Sequence, residues 1–115
     1  MKIRFKDTKG NDVTYELIES EASLELTRML PMTGEIQDFH SNEKGFWCPK
    51  KLNVFGAPLA PGGLESLCYF KPWNQIVLFY GGYSEYEDLY ELGMPVAGQG
   101  QVRNLKGQVT IEKIF

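Results

Sequence analysis

The stretch that decides the fold is SLCYFKPWNQIVLFY, residues 66–80. Two runs of β-favouring residues, 66–71 and 75–80, are joined by the turn signal Pro72-Trp73-Asn74. From residue 76 to residue 80 the second run is apolar without alternation, which is typical of a strand buried on both faces. The stretch therefore predicts two strands joined by a short turn, and it places the second strand deep in the domain.

The N-terminal segment predicts a β-hairpin followed by one helix. Residues 2–6 and 13–17 alternate polar with apolar side chains on either side of Gly10-Asn11, a pair that tolerates positive φ. Ser20 is a candidate N-cap. One face of the following helix collects the apolar residues Ala22, Leu26, Met29 and Leu30. We expect an amphipathic capping helix of about three turns that ends before Pro31.

The rest of the chain predicts short strands separated by loops. We expect strands over residues 35–39, 45–48, 89–92 and 108–112, loops over 53–63 and 93–100, and a single helical turn over 101–105. About eight short strands with one amphipathic helix predict a mainly β fold. The expected architecture is a small closed or nearly closed barrel with a helical cap, formed by residues 1–115 as a single domain.

The composition excludes several classes of function. With 115 residues, of which 43% are hydrophobic, the chain can bury one core. The net charge is -3, and the basic patch at Lys50, Lys51 and Lys71 is weak, so a nucleic-acid partner is not expected. No apolar run approaches the roughly 18 residues that indicate a membrane span. The N-terminus leads directly into a strand without a secretory signal pattern, which favours a cytoplasmic protein.

The order of the elements and of several short motifs resembles a bacterial cyclophilin-like family of unknown function. The motifs that carry the resemblance lie at residues 29–33 (MLPMT), 49–52 (PKKL), 56–58 (GAP), 69–74 (YFKPWN), 89–93 (LYELG) and 107–112 (GQVTIE). The resemblance covers nearly the whole chain. It implies a cyclophilin-like β-barrel capped by a helix, related in shape to prolyl isomerases. It does not imply their activity, because one fold hosts many functions.

Prolyl isomerisation is the alternative function that the resemblance raises. Active cyclophilins carry Phe-His-Arg, four further residues, Phe, and then Gln. This chain has Phe39-His40 and then Phe46, but the arginine position holds Ser41 and the glutamine position holds Pro49. Both polar groups of the motif are missing, so the sequence favours a protein that is not an isomerase.

No cofactor or metal site is expected from the sequence. A single histidine, His40, cannot supply the ligand cluster of a typical zinc site, and a surface imidazole is the simpler interpretation of it. Cys48 and Cys68 lack metal-ligand spacing. Two reduced, buried thiols are favoured for them, while one disulfide between them stays open.

The density of aromatic residues favours a binding module for a peptide or a small apolar ligand. The candidate ligand-binding residues are His40, Phe46, Trp47, Tyr69, Trp73 and Tyr83. Phe70 and Phe79 are expected in the core. For Trp73 a second interpretation is equally supported, in which its ring packs over the loop that contains Pro58 and Pro61.

Self-association is a further expectation, through an edge of the barrel. Charged residues along the first strand discourage edge pairing there, whereas the last strand ends in the less protected Ile114-Phe115. If a homodimer forms, we expect it to use this end. A chain lacking Phe115 that dimerises unchanged would count against this expectation.

Overall fold

The chain forms a closed, antiparallel β-barrel in the computed structural model, which describes residues 1–63 and 65–115. The strands are β1 (Lys2–Asp7), β2 (Asp12–Leu17), β3 (Met32–Phe39), β4 (Glu43–Trp47), β5 (Leu67–Phe70), β6 (Gln75–Phe79), β7 (Leu89–Ala97) and β8 (Gly107–Ile114). Around the barrel they follow the order β1-β2-β7-β5-β6-β4-β3-β8, and pairing of β8 with β1 closes the circle. The predicted fold class, a small, mainly β, closed barrel of about eight strands with one amphipathic helix, is confirmed.

Two apolar layers meet at β6, because successive side chains of a strand point to opposite faces. Ile76 and Leu78 point into the barrel interior and join the main core with Phe5 and Ile111. Val77 points outward into a second cluster, whose buried members are Ala60, Cys68, Val77, Phe79 and Leu89. All five residues of β6 are buried. The prediction of a strand buried on both faces is therefore confirmed.

The helix α1 (Glu21–Arg28) covers part of the barrel as an amphipathic cap. Ser20 is its N-cap and accepts a hydrogen bond from the Ser23 backbone N–H at 3.1 Å. Ala22 and Leu26 are fully buried. With eight residues the helix has about two turns and not three. The N–H groups of Met29 and Leu30 donate to the carbonyls three residues back, at 3.1 and 3.2 Å, so the chain tightens into 3₁₀ geometry after Arg28.

Strands β3, β7 and β8 are each at least three residues longer than the local pattern predicts, and β3 and β7 show the reason. β3 begins at Met32, which pairs with Ile111 of β8. β7 continues through the predicted glycine-rich loop to Ala97, because its second half pairs with β2. In both cases the pairing partner is distant in sequence. The helical turn expected near residues 101–105 is present as a 3₁₀ turn, Val102–Asn104.

The two cysteines lie in different layers of the barrel and are free thiols. Cys48 belongs to the interior core, and Cys68 belongs to the outer cluster. Burial raises the pKa of both thiols, that of Cys68 to about 12. The disulfide that the sequence left open is not formed in this structure, and both thiols are protonated at neutral pH.

Closure of the barrel limits the edge that the last strand offers. β8 pairs with β1 along most of its length, and it pairs with β3 up to Ile111. Beyond Ile111 the strand has a partner on the β1 side, and Phe115 is fully exposed. A homodimer through this end therefore stays a prediction, restricted to a short edge. Among the described residues, no helix combines the length and the apolarity needed to cross a bilayer.

The turn between β1 and β2 is organised by the buried carboxylate of Asp7, which is 5% exposed. One oxygen, Oδ1, accepts the backbone N–H groups of Lys9 and Asn11, each at 2.9 Å. The other, Oδ2, accepts the Asn11 side-chain amide at 3.0 Å and the Lys106 backbone N–H at 3.3 Å. Burial by itself raises the pKa of Asp7, but these hydrogen bonds outweigh it and lower the pKa below the usual 3.8.

We predict that Asp7→Asn lowers the free energy of unfolding at pH 7 by about 1–2 kcal/mol, because the amide nitrogen cannot accept the two bonds made to Oδ2. The carboxylate stabilises the fold above its unfolded-state pKa, and that contribution is lost as the pH falls through the lower folded-state value. Urea unfolding at pH 7 and below pH 3 measures both effects, and Asp12→Asn at the other end of the turn is the control. Equal losses in the two variants, or a loss that does not shrink in acid, would contradict the prediction.

Candidate ligand-binding groove

A groove lies on the outer face of the barrel, along the whole of β6 and next to the start of β4, the end of β5 and the start of β7. The loop after β6 is joined to the loop that contains Gly63 by the reciprocal backbone hydrogen bonds of Gly63 and Tyr83, at 2.9 and 3.1 Å. Between the loop after β6 and the turn that follows β3, a cavity of about 490 Å³ stays open. A volume of this size fits a small ligand or a short peptide segment.

The groove has an apolar floor and polar walls. The floor is formed by outward-facing side chains of β5, β6 and β7, namely Phe70, Gln75, Val77, Phe79 and Leu89. The loop after β6 supplies one wall with Gly82, Tyr83, Ser84 and Tyr86. The turn after β3 and the start of β4 supply the opposite wall with His40, Asn42 and Glu43. Trp73 stands at one end.

Five aromatic rings form a continuous row beside and across this groove, and we call Trp47, Phe39, Trp73, Phe70 and Tyr86 the aromatic row. Successive ring centroids are 6.4, 6.2, 5.5 and 5.8 Å apart. Three of the rings are about half exposed, Trp47 at 48%, Trp73 at 52% and Tyr86 at 54%. A contiguous exposed apolar surface of this kind marks an interaction site more often than scattered exposed residues do.

Trp73 is held in place by a braced turn. Lys71–Trp73 form a 3₁₀ turn with proline at its start, and Asn74 closes it in the left-handed region with φ 49°. The Asn74 side chain accepts the Tyr69 hydroxyl at 2.5 Å and donates to the Cys48 carbonyl at 2.9 Å. These bonds tie the turn to the ends of β4 and β5, so the ring is presented from a rigid support.

The opposite wall is also fixed by hydrogen bonds. His40 lies in the left-handed region with φ 57°, which a non-glycine residue adopts rarely. Asn42 donates its side-chain amide to the Gly82 carbonyl at 2.9 Å, and its own carbonyl accepts the Tyr80 N–H at 2.9 Å. The two walls are thus linked at one end of the groove, with the exposed imidazole of His40 at the rim.

Burial raises the pKa of two polar groups that line the groove, Glu43 and Tyr83. Burial raises the pKa of the Glu43 carboxyl, against the smaller opposing effect of His40. Burial also raises the pKa of Tyr83, whose hydroxyl lies 2.6 Å from the Ser66 hydroxyl and whose ring stacks on Phe79 at 4.0 Å. Within the described residues, no lysine or arginine lines the groove. The surface therefore suits a neutral ligand better than an anion.

Of the six residues predicted from the sequence, the structure brings His40, Trp73 and Tyr83 together in the groove. Trp47 lies beside it, edge-on to Phe39. Phe46 and Tyr69 are placed differently, since both point into the barrel interior and are at most 2% exposed. The reason is strand parity: Phe46 and Tyr69 both lie opposite Ile76 of β6, which faces the interior.

The structure also shows what Trp73, Phe70 and Phe79 pack against. Trp73 packs against Phe39 and Phe70 and remains half exposed. Phe79 is buried as predicted, but it belongs to the outer cluster, and Phe70 is only partly buried against that cluster. Sequence reasoning missed Gln75, a polar residue at the head of an otherwise apolar strand. The contrast between polar Gln75 and the apolar residues that follow it in β6 is the sequence signal that could have identified it.

The arginines are engaged outside the groove. Arg4 pairs with Glu112 at 2.6 Å, Arg28 lies 3.6 Å from Glu21, and Arg103 stacks over the Tyr80 ring at 5.6 Å. Ser41, which occupies the arginine position of the isomerase motif, is exposed in the turn after β3. In the described part of the chain, no group of three or more His, Cys, Asp or Glu side chains is arranged to hold a metal ion.

Similar proteins agree with this architecture. A family model described as the Cyclophilin-like family matches residues 7–112. The chain is also similar to the solution structure of the hypothetical protein AF2241 from Archaeoglobus fulgidus, with a TM-score of 0.73 and 19% sequence identity. That similarity covers 99% of this chain and 95% of the other, and it shows a shared fold. No curated protein matches the chain significantly.

Proposed function

The chain belongs to the cyclophilin-like family, and we propose that it is a non-catalytic binding module that holds a peptide or a small apolar ligand in its outer groove. The observation that carries the proposal is the part of the aromatic row that lines the groove of about 490 Å³, namely Phe70, Trp73 and Tyr86, of which Trp73 and Tyr86 are about half exposed. Exposed tryptophan and tyrosine side chains offer a large apolar area with little conformational entropy to lose on binding.

The chemistry of the groove supports binding without turnover. Prolyl isomerisation in the resembled enzymes uses a cation that engages the imide as it loses its resonance. Among the described groove residues the one group able to carry a positive charge is His40 at the rim, and the three arginines contact other parts of the chain. A groove with an apolar floor and neutral hydrogen-bonding groups can orient a ligand, but it offers little stabilisation to a developing charge.

A titration with a capped, uncharged tetrapeptide that contains one X-Pro bond tests the proposal. The chain has two tryptophans, so Trp47→Phe leaves Trp73 as the single indole reporter, and Trp73→Phe leaves Trp47. We expect a saturable fluorescence change in Trp47→Phe and a much smaller change in Trp73→Phe. An isomerase assay on the same peptide is expected to show no acceleration over the uncatalysed rate.

Two results would contradict the proposal in different ways. Acceleration of isomerisation by the wild-type protein that is lost on filling the groove would show that the groove is an active site. Absence of saturation in both tryptophan variants, across a panel of such peptides and small apolar compounds, would remove the groove as a binding site for this class of ligand.

A further inference from the structure

The floor of the groove contains one buried polar group that the protein leaves without a partner. Gln75 is 1% exposed, and its side-chain nitrogen Nε2 has no hydrogen-bond acceptor among the described residues. Gln75 lies opposite Trp47 and Phe70 in the sheet and lines the groove. A buried donor without an acceptor destabilises a fold, so such groups are rare in native proteins.

The surroundings of Gln75 leave room for the amide but provide no acceptor to it. Its nitrogen lies over Gly45, in the space that a Cβ at that position would occupy, next to the ring of Phe39. Phe39 in turn contacts Trp73, the half-exposed indole at the end of the groove. A methionine or leucine at position 75 would fill the same space without a polar group to satisfy. Packing alone therefore does not account for a glutamine at position 75, whereas a ligand that accepts a hydrogen bond from its amide does.

The missing partner is an acceptor without a full negative charge. One wall of the groove carries the Glu43 carboxyl, opposite Phe79 at the other end of β6 from Gln75, and the groove has no described lysine or arginine to balance an anion. His40 is the one group on the walls that can become cationic, and it is exposed at the rim. An amide carbonyl oxygen accepts from an N–H without bringing a charge into this apolar floor.

We infer that Gln75 selects ligands that bring an amide carbonyl to the floor of the groove, where its Nε2 donates to the carbonyl oxygen. The inference rests on the proposed function, since it names the group that the groove recognises. Because Nε2 is covered in the unliganded protein, the rings of Phe39 and Trp73 shift when the carbonyl enters. Gln75 is thus a specificity-determining residue for neutral amides, including peptides.

The test compares two small probes that differ in one atom, N-acetylpiperidine and N-thioacetylpiperidine. The thioamide sulfur accepts hydrogen bonds more weakly than oxygen, while the ring and charge stay the same. The Gln75 side-chain NH₂ signals are identified in ¹H–¹⁵N spectra by their loss in Gln75→Met. We expect the oxygen probe to shift one of these protons downfield and to bind the wild-type protein at least fivefold more tightly than the sulfur probe.

In Gln75→Met the preference is expected to fall within twofold, while the sulfur probe still binds. The urea midpoint of this variant is expected to rise, because the unsatisfied donor is gone. Gln37→Met, the same change at an exposed position of β3, is the control for both readouts. Gln75→Leu serves as a second variant if methionine does not fit.

The outcomes separate this inference from the proposed function. Equal binding of both probes by the wild-type protein, or an unchanged preference in Gln75→Met, would overturn the inference and leave the groove as a binding site. Failure of both probes to bind at millimolar concentration would count against the groove itself, and the inference would fall with it.

Discussion

Replacing Trp73 by alanine is expected to weaken binding of the capped prolyl tetrapeptide by thirtyfold or more, which corresponds to about 2 kcal/mol of binding free energy. Trp73 stands at the end of the groove, half exposed, on a turn that hydrogen bonds hold to β4 and β5. Its removal deletes the central ring of the aromatic row, between Phe39 and Phe70. Isothermal titration calorimetry measures the loss without depending on the deleted indole.

Trp47→Ala is the matched control for this prediction. Trp47 is exposed to a similar degree, 48% against 52%, and it also contacts Phe39, but it lies outside the lining of the groove. We expect this variant to bind the peptide within threefold of the wild-type protein. Equal losses in the two variants would show that exposed tryptophan as such, and not the groove, carries the binding.

The parts of the fold that were predicted from the sequence are those decided by local interactions. The first hairpin follows from alternating side chains around Gly10-Asn11, and the helix start follows from the cap at Ser20, which the Ser23 N–H donates to. Strand β6 is recognisable because an uninterrupted apolar run from Ile76 onward fits a strand with no exposed face. Each of these signals lies within a few neighbouring residues.

The parts that were missed depend on pairing between distant residues. β7 extends past Gly93 to Ala97 because β2 supplies hydrogen-bond partners along that length, although glycine and Pro95 in this segment favour a loop locally. The start of β3 at Met32 depends in the same way on β8. The residues of β7 do not indicate locally that β2 is their partner, and the residues at the start of β3 do not indicate that β8 is theirs.

The lining of the candidate groove was predicted in part, and the residues that were misplaced also depend on pairing between strands. Aromatic type identified His40, Trp73 and Tyr83, which the structure gathers in the groove, but type alone does not say which face of a strand a side chain occupies. Phe46 and Tyr69 face inward because of their register with Ile76. A shift of one residue in either strand would exchange the inner and outer sets.

The family resemblance predicted the barrel and left the chemistry open, because the fold and an active site make different demands on the sequence. The barrel requires apolar side chains at alternating positions and close pairing of the strands. An isomerase site requires in addition a cation at the groove, and the arginines of this chain lie against Glu112, Glu21 and Tyr80 instead. The same scaffold is therefore compatible with recognition alone.

The close pairing of strands leads to the largest stability effect that we predict, at Gly93. This residue lies opposite Leu17 of β2 and Leu67 of β5, and so it joins two sections of the barrel. A Cβ at Gly93 would overlap the Glu16 carbonyl oxygen and would lie 3.1 Å from the Leu17 Cα, both of them backbone atoms. Because no side-chain rotation relieves such an overlap, strands β2 and β7 must separate locally.

Gly93→Ala is therefore expected to lower the free energy of unfolding by about 3 kcal/mol or more, at the upper end of what overpacking costs in a folded core. Gly82→Ala is the control, since its Cβ would meet nothing nearer than the Gly63 carbonyl oxygen at 4.0 Å, and we expect a change of about 0.5 kcal/mol or less there. Urea unfolding followed by circular dichroism measures both. A Gly93→Ala loss no larger than that of Gly82→Ala would mean that the β2–β7 contact is looser than described. The barrel would then tolerate a local separation of β2 from β7, the strand that contributes Leu89 to the lining of the groove.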